Sequence, residues 1–455
     1  MISRQVGASA VTSFTYDGQN RLTFTDYPGT TPDVTRSYDE NGNLRRVDNA
    51  DSQHEYLYDQ NDNLQTEIVD IGTNVYTINY SYDLNDFVAS IIYPSGRAIG
   101  YAPDAFGRPT KVAPYVTNVD YYPSGQVQQV SYANGQITDI TLNNRLWVER
   151  LHSHGVAAAM DLTYQYDAIG NVASITDALD ALNNRLLGYD ANNRLDSAAG
   201  RWGTASFVYN GRGDMEEKYV SASHTLNLYQ QAQLLTTIAY NPTIIDGSVY
   251  ATRYDLLGYD DYGNIAAIES HDTTDPINNG IIQEKFFTYD DAGNLRLARK
   301  AQFLSLSTDH NYGYDGNNMR VSKITAGAVG VSQAEYVYAK SGNLLGEYEP
   351  SINSVYGKEY FYLGAQQVAS AQQNRLPVAN AGPDASYYAS QLATLDGSAS
   401  SDPDGGIVSH AWLQLTGTPV SLSDPAAVSP TFTTPAVTVL ETLTFQLTVT
   451  DNDGE

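Results

Sequence analysis

A tyrosine followed directly by an aspartate recurs along most of this chain, and each copy leads into a short polar turn. The pair is found at Tyr16-Asp17, Tyr38-Asp39, Tyr58-Asp59, Tyr82-Asp83, Tyr166-Asp167, Tyr189-Asp190, Tyr259-Asp260, Tyr289-Asp290 and Tyr314-Asp315. Four copies extend to Tyr-Asp-x-x-Gly-Asn followed, one residue later, by an apolar residue, at 38–44, 166–172, 259–265 and 289–295. Self-similarity with a period of roughly 20–25 residues predicts a stacked array whose units bury their apolar faces against each other.

The residue types in the unit predict a β-hairpin. An aspartate before a polar loop can accept backbone N–H groups, and glycine or asparagine tolerates the positive φ of a tight turn. Gly42, Gly170, Gly263 and Gly293 are expected at these turns. The flanking residues alternate with period two, as at 162–166, which is typical of β-strands. The tyrosines are therefore expected in a row, with rings packed and hydroxyls reaching water or a turn.

Composition favours an all-β fold and argues against several classes of partner. The 455 residues include 36 Tyr, 36 Gly and 17 Pro but no Cys, and no long amphipathic helical stretch is present. A secreted form would therefore depend on sheet packing and not on disulfides. The formal charge of -27 would repel a phosphate backbone, so nucleic acid is not expected as a partner. No apolar run is long enough to cross a bilayer.

The composition changes abruptly near Arg375, which predicts two domains. From Leu376 to Glu455 there is no Lys or Arg, and Ala, Ser, Thr, Pro and Asp dominate. The predicted bounds are 1–370 for the repeat array, 371–376 for a linker and 377–455 for a second domain. Within the array, the interval from Tyr209 to Tyr259 carries a weaker turn pattern and predicts a degenerate or inserted turn. Both termini are expected to be cut ends of a longer polypeptide.

The repeated units, including 161–172 and 189–195, resemble the YD/RHS repeats of bacterial Rhs proteins, Tc-toxin components and teneurins. The resemblance covers roughly residues 10–370. It implies hairpins that spiral into a hollow β-cage able to enclose a toxic C-terminal polypeptide. Residues 342–348 and 359–364 are similar to the stretch that leads into the Rhs core. The core motifs and autocleavage aspartates of the family are not found after Gly364, so a partial β-shell is expected.

The tail resembles the PKD-type, Ig-like β-sandwich of extracellular bacterial proteins. The similar segments are 377–384, 395–405, Ala411-Trp412 and 445–451, in the order of that family. Trp412 is expected in the core between two sheets. A PKD-type domain usually continues into one further strand, so the domain is predicted to be truncated at Glu455.

The tail also contains the predicted metal site. Asp402 and Asp404 place two carboxylates in one turn, and the resemblance implies that Asn380 joins them from a neighbouring loop. Calcium takes six to eight oxygen ligands, which carbonyls and water can complete. The alternative is that both aspartates only cap a tight turn.

No catalytic or cofactor-binding residue is predicted. His152 and His154 alternate and could support a metal, but no third ligand is evident near them, and a surface or packing role is the alternative. The chain has no Cys, no Gly-x-Ser-x-Gly elbow, no phosphate loop and no His-Glu-x-x-His helix.

Three functional classes follow from these patterns. The first is a non-catalytic structural fragment of a secreted or cell-surface bacterial Rhs-like protein, which supplies a β-shell and a spacer domain for a protein cargo or surface partner. The second is an adhesin module that binds carbohydrate or protein. The third is the scaffold part of an enzyme or toxin whose catalytic domain lies outside this segment.

Overall fold

The computed structural model describes residues 2–4, 11–220, 223–230, 233–245, 248–260, 264–272, 281–302, 307–327, 330–350, 357–374, 376–403 and 405–451. The chain divides into two compact units, Met1–Ala371 and Gln372–Glu455. Strands dominate both units, which confirms the all-β prediction. Among the described residues, no helix has the length and apolar character needed to span a bilayer.

The first unit begins with a sheet of ten strands that pair in sequence order. Its strands are β1 (Ile2–Arg4), β2 (Thr12–Tyr16), β3 (Leu22–Asp26), β4 (Val34–Tyr38), β5 (Leu44–Asp48), β6 (Gln53–Tyr58), β7 (Leu64–Ile71), β8 (Asn74–Tyr82), β9 (Val88–Ile92) and β10 (Ala98–Gly100).

A second sheet of 22 strands continues the same sequential pairing. Its first half contains β11 (Val116–Tyr121), β12 (Val127–Tyr132), β13 (Ile137–Leu142), β14 (Val148–His154), β15 (Met160–Tyr166), β16 (Val172–Asp177), β17 (Arg185–Tyr189), β18 (Leu195–Gly200), β19 (Gly203–Tyr209), β20 (Met215–Val220) and β21 (Ser223–Gln230). Its second half contains β22 (Gln233–Ile245), β23 (Ser248–Tyr259), β24 (Ile265–Asp272), β25 (Ile281–Tyr289), β26 (Leu295–Gln302), β27 (Thr308–Tyr314), β28 (Arg320–Gly327), β29 (Gly330–Tyr338), β30 (Leu344–Tyr348), β31 (Gly357–Leu363) and β32 (Gln366–Gln372). A short 3₁₀ turn, Ala181–Asn183, lies between β16 and β17.

The Tyr-Asp units form the predicted hairpins, and each carries a β-bulge at its tyrosine. In the hairpin β15–β16 the register shifts between Gln165 and Tyr166, and equivalent shifts precede Tyr16, Tyr38, Tyr58, Tyr82, Tyr189, Tyr259, Tyr289 and Tyr314. The residue four positions after the tyrosine has a positive φ in each described copy: Asn20, Gly42, Asp62, Asp86, Gly170, Asn193, Gly293 and Asn318. The turn predictions for Gly42, Gly170 and Gly293 are therefore confirmed, and Gly263 lies outside the described residues.

The divergent copies also form hairpins. In the copies that lack aspartate, the turn glycine donates its N–H to the carbonyl of the tyrosine, from Gly96 to Tyr93, from Gly125 to Tyr122 and from Gly135 to Tyr132. The interval from Tyr209 to Tyr259 belongs to the array, since β19 to β23 pair consecutively and antiparallel.

The main core of the first unit joins early and late strands. Val69, Tyr76 and Ile78 from β7 and β8 share one buried cluster with Tyr348 and Phe361 from β30 and β31. The Tyr76 and Tyr348 rings stack with centroids 4.7 Å apart. Strands far apart in sequence therefore bury the apolar surface that a single hairpin leaves exposed.

The second unit contains two antiparallel strand pairs. Strand β33 (Leu392–Thr394) pairs with β35 (Thr431–Thr433), and β34 (Ile407–Thr416) pairs with β36 (Thr444–Asp451). Trp412 is 5% exposed, packs with Leu447 and Val449, and donates its indole N–H to the Ala427 carbonyl at 3.2 Å. The prediction that this tryptophan is a core residue is confirmed.

Candidate functional site

The aspartate of each unit caps its own turn. Asp59 Oδ1 accepts backbone N–H groups from Asn61 at 2.8 Å and from Asn63 at 2.9 Å. The Asn63 backbone hydrogen bond is the main cause that lowers the pKa of Asp59 below its ordinary value. The excess acid of the chain therefore includes ionised groups that hold the turns in shape.

The tyrosine of each unit joins neighbouring hairpins. The Tyr38 hydroxyl donates to the Leu22 carbonyl at 3.0 Å, and the Tyr58 hydroxyl donates to the Leu44 carbonyl at 2.9 Å. The same bond joins Tyr82 to Leu64, Tyr166 to Val148, Tyr189 to Val172, Tyr209 to Leu195 and Tyr362 to Leu344. The acceptor is the first strand residue after the preceding turn, so each tyrosine fixes the position of its hairpin relative to the one before.

The array is closed by a contact zone between early and late strands, which we call the seam. Three glutamates lie at its centre: Glu67 is 1% exposed, Glu335 is 0% exposed and Glu359 is 1% exposed. Around them, hydrogen bonds link residues that are far apart in sequence: Thr31 with Asp291, Arg36 with Gly316, Asn49 with Tyr314, Tyr93 with Tyr360, and Ser95 with Glu359.

Neutral donors surround the seam glutamates. Glu335 accepts hydrogen bonds from the Tyr76 hydroxyl at 2.7 Å and the Gln333 amide at 2.7 Å. Glu67 accepts from the Tyr80 hydroxyl at 2.5 Å and from the Lys340 backbone N–H at 3.0 Å. Burial raises the pKa of Glu67 and of Glu335, because desolvation disfavours the charged carboxylate more than these donors favour it. The sequence has no local signal for the seam, since its partners lie on different repeats.

A cluster of metal-ligating side chains lies on β13 and β14. Asp139 is directly opposite His152 in the antiparallel register, and His154 Nε2 is 2.8 Å from Asp139 Oδ2. One potential ligand atom from each of these three residues lies within 4.8 Å of the others. Asp139 is the third ligand that the sequence reasoning missed. The signal was available in principle, because the Asn143–Leu146 turn fixes which β13 residue faces His152.

The predicted calcium residues are only partly placed. A bridge between Val378 and Ser401 brings the segments of Asn380 and Asp402 next to each other. The Asn380 side-chain oxygen accepts the Gly382 N–H at 3.0 Å, and Asp402 is half-buried. Asp404 lies outside the described residues. The site therefore stays a prediction.

The second unit contains a domain of a known class. Residues 381–455 match a family model of the PKD domain. The PKD-type resemblance of the tail is confirmed by this match. Among curated proteins, no sequence matches this chain.

Solved Tc toxin structures are similar to the chain. The crystal structure of TcdB2-TccC3 is 13% identical, with a TM-score of 0.49, and the match covers 87% of this chain and 23% of that one. A Photorhabdus luminescens Tc holotoxin pore is 13% identical, with a TM-score of 0.45, and the match covers 77% of this chain and 21% of that one. The TcdB2-TccC3-Cdc42 structure is 11% identical, with a TM-score of 0.45 and the same coverage of 77% and 21%. The chain spans less than a quarter of the length of each of these chains.

Proposed function

We propose that this chain is a non-catalytic scaffold, in which the repeat array forms a partial β-shell and the PKD-type domain serves as a spacer. One observation carries the proposal: the seam bonds early strands to late strands of a consecutively paired array. Tyr76 and Glu335, for example, are 259 positions apart in sequence and share a buried hydrogen bond. An array whose distant strands meet forms a curved wall and not an extended ribbon.

The wider role is a segment of a secreted or cell-surface bacterial polypeptide that holds a protein cargo or partner. The PKD-type tail and the YD/RHS-like units support this role. The bounds 1–370, 371–376 and 377–455 are part of the proposal.

Cross-linking tests the closure of the array. The chain has no Cys, so introduced cysteines have no competing thiols. Thr31 Oγ1 and Asp291 Oδ2 are 2.9 Å apart across the seam, so the pair Thr31→Cys and Asp291→Cys should form a disulfide or react with a short bismaleimide within one chain. The cross-link should disappear in denaturant, and the two single variants serve as controls. Failure of the folded double variant to cross-link would contradict a closed array.

The adhesin alternative has one specific observation in its favour. Tyr388 of the second unit is 82% exposed, next to the exposed Tyr387, and exposed aromatic rings can stack on sugars. A glycan array separates the alternatives. A scaffold binds no sugar above background, whereas a defined glycan whose binding is lost in Tyr388→Ala would favour the adhesin.

A further inference from the structure

We infer that Asp139, His152 and His154 form a binding site for a transition-metal dication of the zinc class. The first argument is register. Side chains two residues apart on a strand share a face, and directly opposed residues of antiparallel strands also share a face. His152 and His154 therefore lie on one face of β14, and Asp139 lies on the same face of β13.

The distances are close to those that a metal requires. Zinc–ligand bonds of about 2.0–2.2 Å place neighbouring ligands of a tetrahedral ion roughly 3.3 Å apart. His154 Nε2 and Asp139 Oδ2 are 2.8 Å apart, and the ring centroids of His152 and His154 are 4.5 Å apart with the planes at 23°. Small side-chain rotations are sufficient to bring three ligand atoms around one ion.

Neighbouring strands orient the carboxylate. The Gln129 amide on β12 donates to Asp139 Oδ1 at 2.7 Å, which directs Oδ2 towards His154. The Gln129 hydrogen bond is also the main cause that lowers the pKa of Asp139, so the group is an anion at neutral pH. Outer-shell partners of this kind hold metal ligands in place.

The flanking charges are balanced by each other. Asp161 on β15 lies opposite His152, and both of its oxygens accept hydrogen bonds from the Arg150 guanidinium, at 2.7 and 2.8 Å. The remaining coordination positions have space beside them, because Asp139 and His152 line a cavity of about 240 Å³ together with Tyr122, Gln128 and Arg150. A water molecule or a small anion can complete the coordination there.

The donor set selects the class of metal. Two imidazoles and one carboxylate suit zinc and its neighbours in the first transition row, whereas calcium and magnesium prefer oxygen ligands alone. The expected ion is therefore different in kind from the calcium ion predicted for the tail.

Zinc titration of the untagged, chelator-treated chain tests the site. Calorimetry should show one zinc ion bound per chain, and the melting temperature should rise with zinc. Cobalt(II) should give a visible absorption band typical of imidazole coordination. Asp139→Asn and His154→Asn should each weaken binding by more than 10-fold, and Gln129→Ala should weaken it by about 10-fold, since it removes only an outer-shell bond.

The matched control is His310→Asn, because His310 lies on β27 and hydrogen-bonds Thr325 outside the cluster. This variant should bind zinc as the unaltered chain does. Circular dichroism without metal shows whether each variant is folded. Absence of stoichiometric binding at micromolar zinc, or unchanged affinity in the folded Asp139→Asn and His154→Asn variants, would overturn the inference. Either result leaves the seam cross-link, and thus the proposed scaffold, unaffected.

Discussion

The Tyr76 hydroxyl donates a 2.7 Å hydrogen bond to Glu335, a residue 259 positions later in the chain, and both side chains are inaccessible to solvent. The Tyr76 ring also stacks on Tyr348, and the Asn74 amide reaches both oxygens of Glu335 at 3.1 and 3.2 Å. This contact combines apolar packing with a satisfied buried polar group. It therefore offers a direct way to measure what the seam contributes.

Tyr76→Phe should lower the free energy of unfolding by about 1–3 kcal/mol, because it removes one donor from a buried carboxyl group while preserving the ring stack. Chemical denaturation followed by circular dichroism measures the change. The control is Tyr219→Phe, since Tyr219 also donates to a glutamate, Glu217, but on an exposed surface. That control should change stability by less than about 0.5 kcal/mol. Equal effects of the two substitutions would mean that the seam carries no special weight.

The seam should also make stability depend on pH. Burial raises the pKa of Glu335 above its ordinary value of 4.5, so between that value and the raised pKa the folded state holds a proton that the unfolded state releases. The contribution is fully present below pH 4.5 and is lost as pH rises through the folded pKa.

Glu335→Gln stays neutral at every pH, so its unfolding free energy relative to the unaltered chain should increase as pH rises above 4.5. Denaturation at several pH values measures this difference, and Glu67→Gln should behave in the same way because burial raises the pKa of Glu67 as well. The exposed Glu349→Gln controls for the loss of one negative charge. A difference that is constant with pH would contradict the prediction.

The turn aspartates should tolerate asparagine better than alanine. Asp167 Oδ1 accepts three backbone N–H groups, from Ile169 at 3.0 Å, Gly170 at 2.8 Å and Asn171 at 2.9 Å. Asp167→Ala removes the acceptor and should cost about 1–2 kcal/mol of unfolding free energy.

Asp167→Asn keeps the acceptor oxygen and should cost less than half as much. Two natural turns of this chain support the expectation, since Asn143 and Asn210 accept the equivalent backbone N–H groups. Thermal unfolding of the two variants ranks them, and an asparagine variant as unstable as the alanine variant would refute the capping role.

Two turn glycines should differ in their response to alanine. Gly170 and Gly293 have φ angles of +106° and +85°, so both substitutions strain the backbone, by about 1–3 kcal/mol. A Cβ atom at Gly170 would also lie 3.1 Å from the Trp147 ring, whereas at Gly293 nothing lies within 4 Å. Gly170→Ala should therefore have the lower melting temperature, and the reverse order would show that Trp147 moves away at no cost.

The local structure of the array was predictable because its signals are local. Asp17 caps its own turn through Gln19 and Arg21, and the turn residue Asn20 needs only a positive φ. These interactions span a few residues, so a repeated motif is enough to recognise them. The core position of Trp412 followed from a resemblance and not from spacing.

The third histidine-cluster ligand and the seam were not predicted. Asp139 faces His152 only because one hairpin register aligns them. Glu67, Glu335 and Glu359 are ordinary strand glutamates in the sequence, and nothing local distinguishes them from the exposed Glu349.

The sequence by itself determined the consecutive hairpins, their turn chemistry and the change to a PKD-type domain, because each depends on side chains that act within one or two repeats. Only the tertiary structure decided which repeats meet. Closure depends on the accumulated twist and bulges of some thirty strands, and a small change in each strand would bring different residues together. The burial of the seam glutamates is a property of that closure, and no single repeat encodes it.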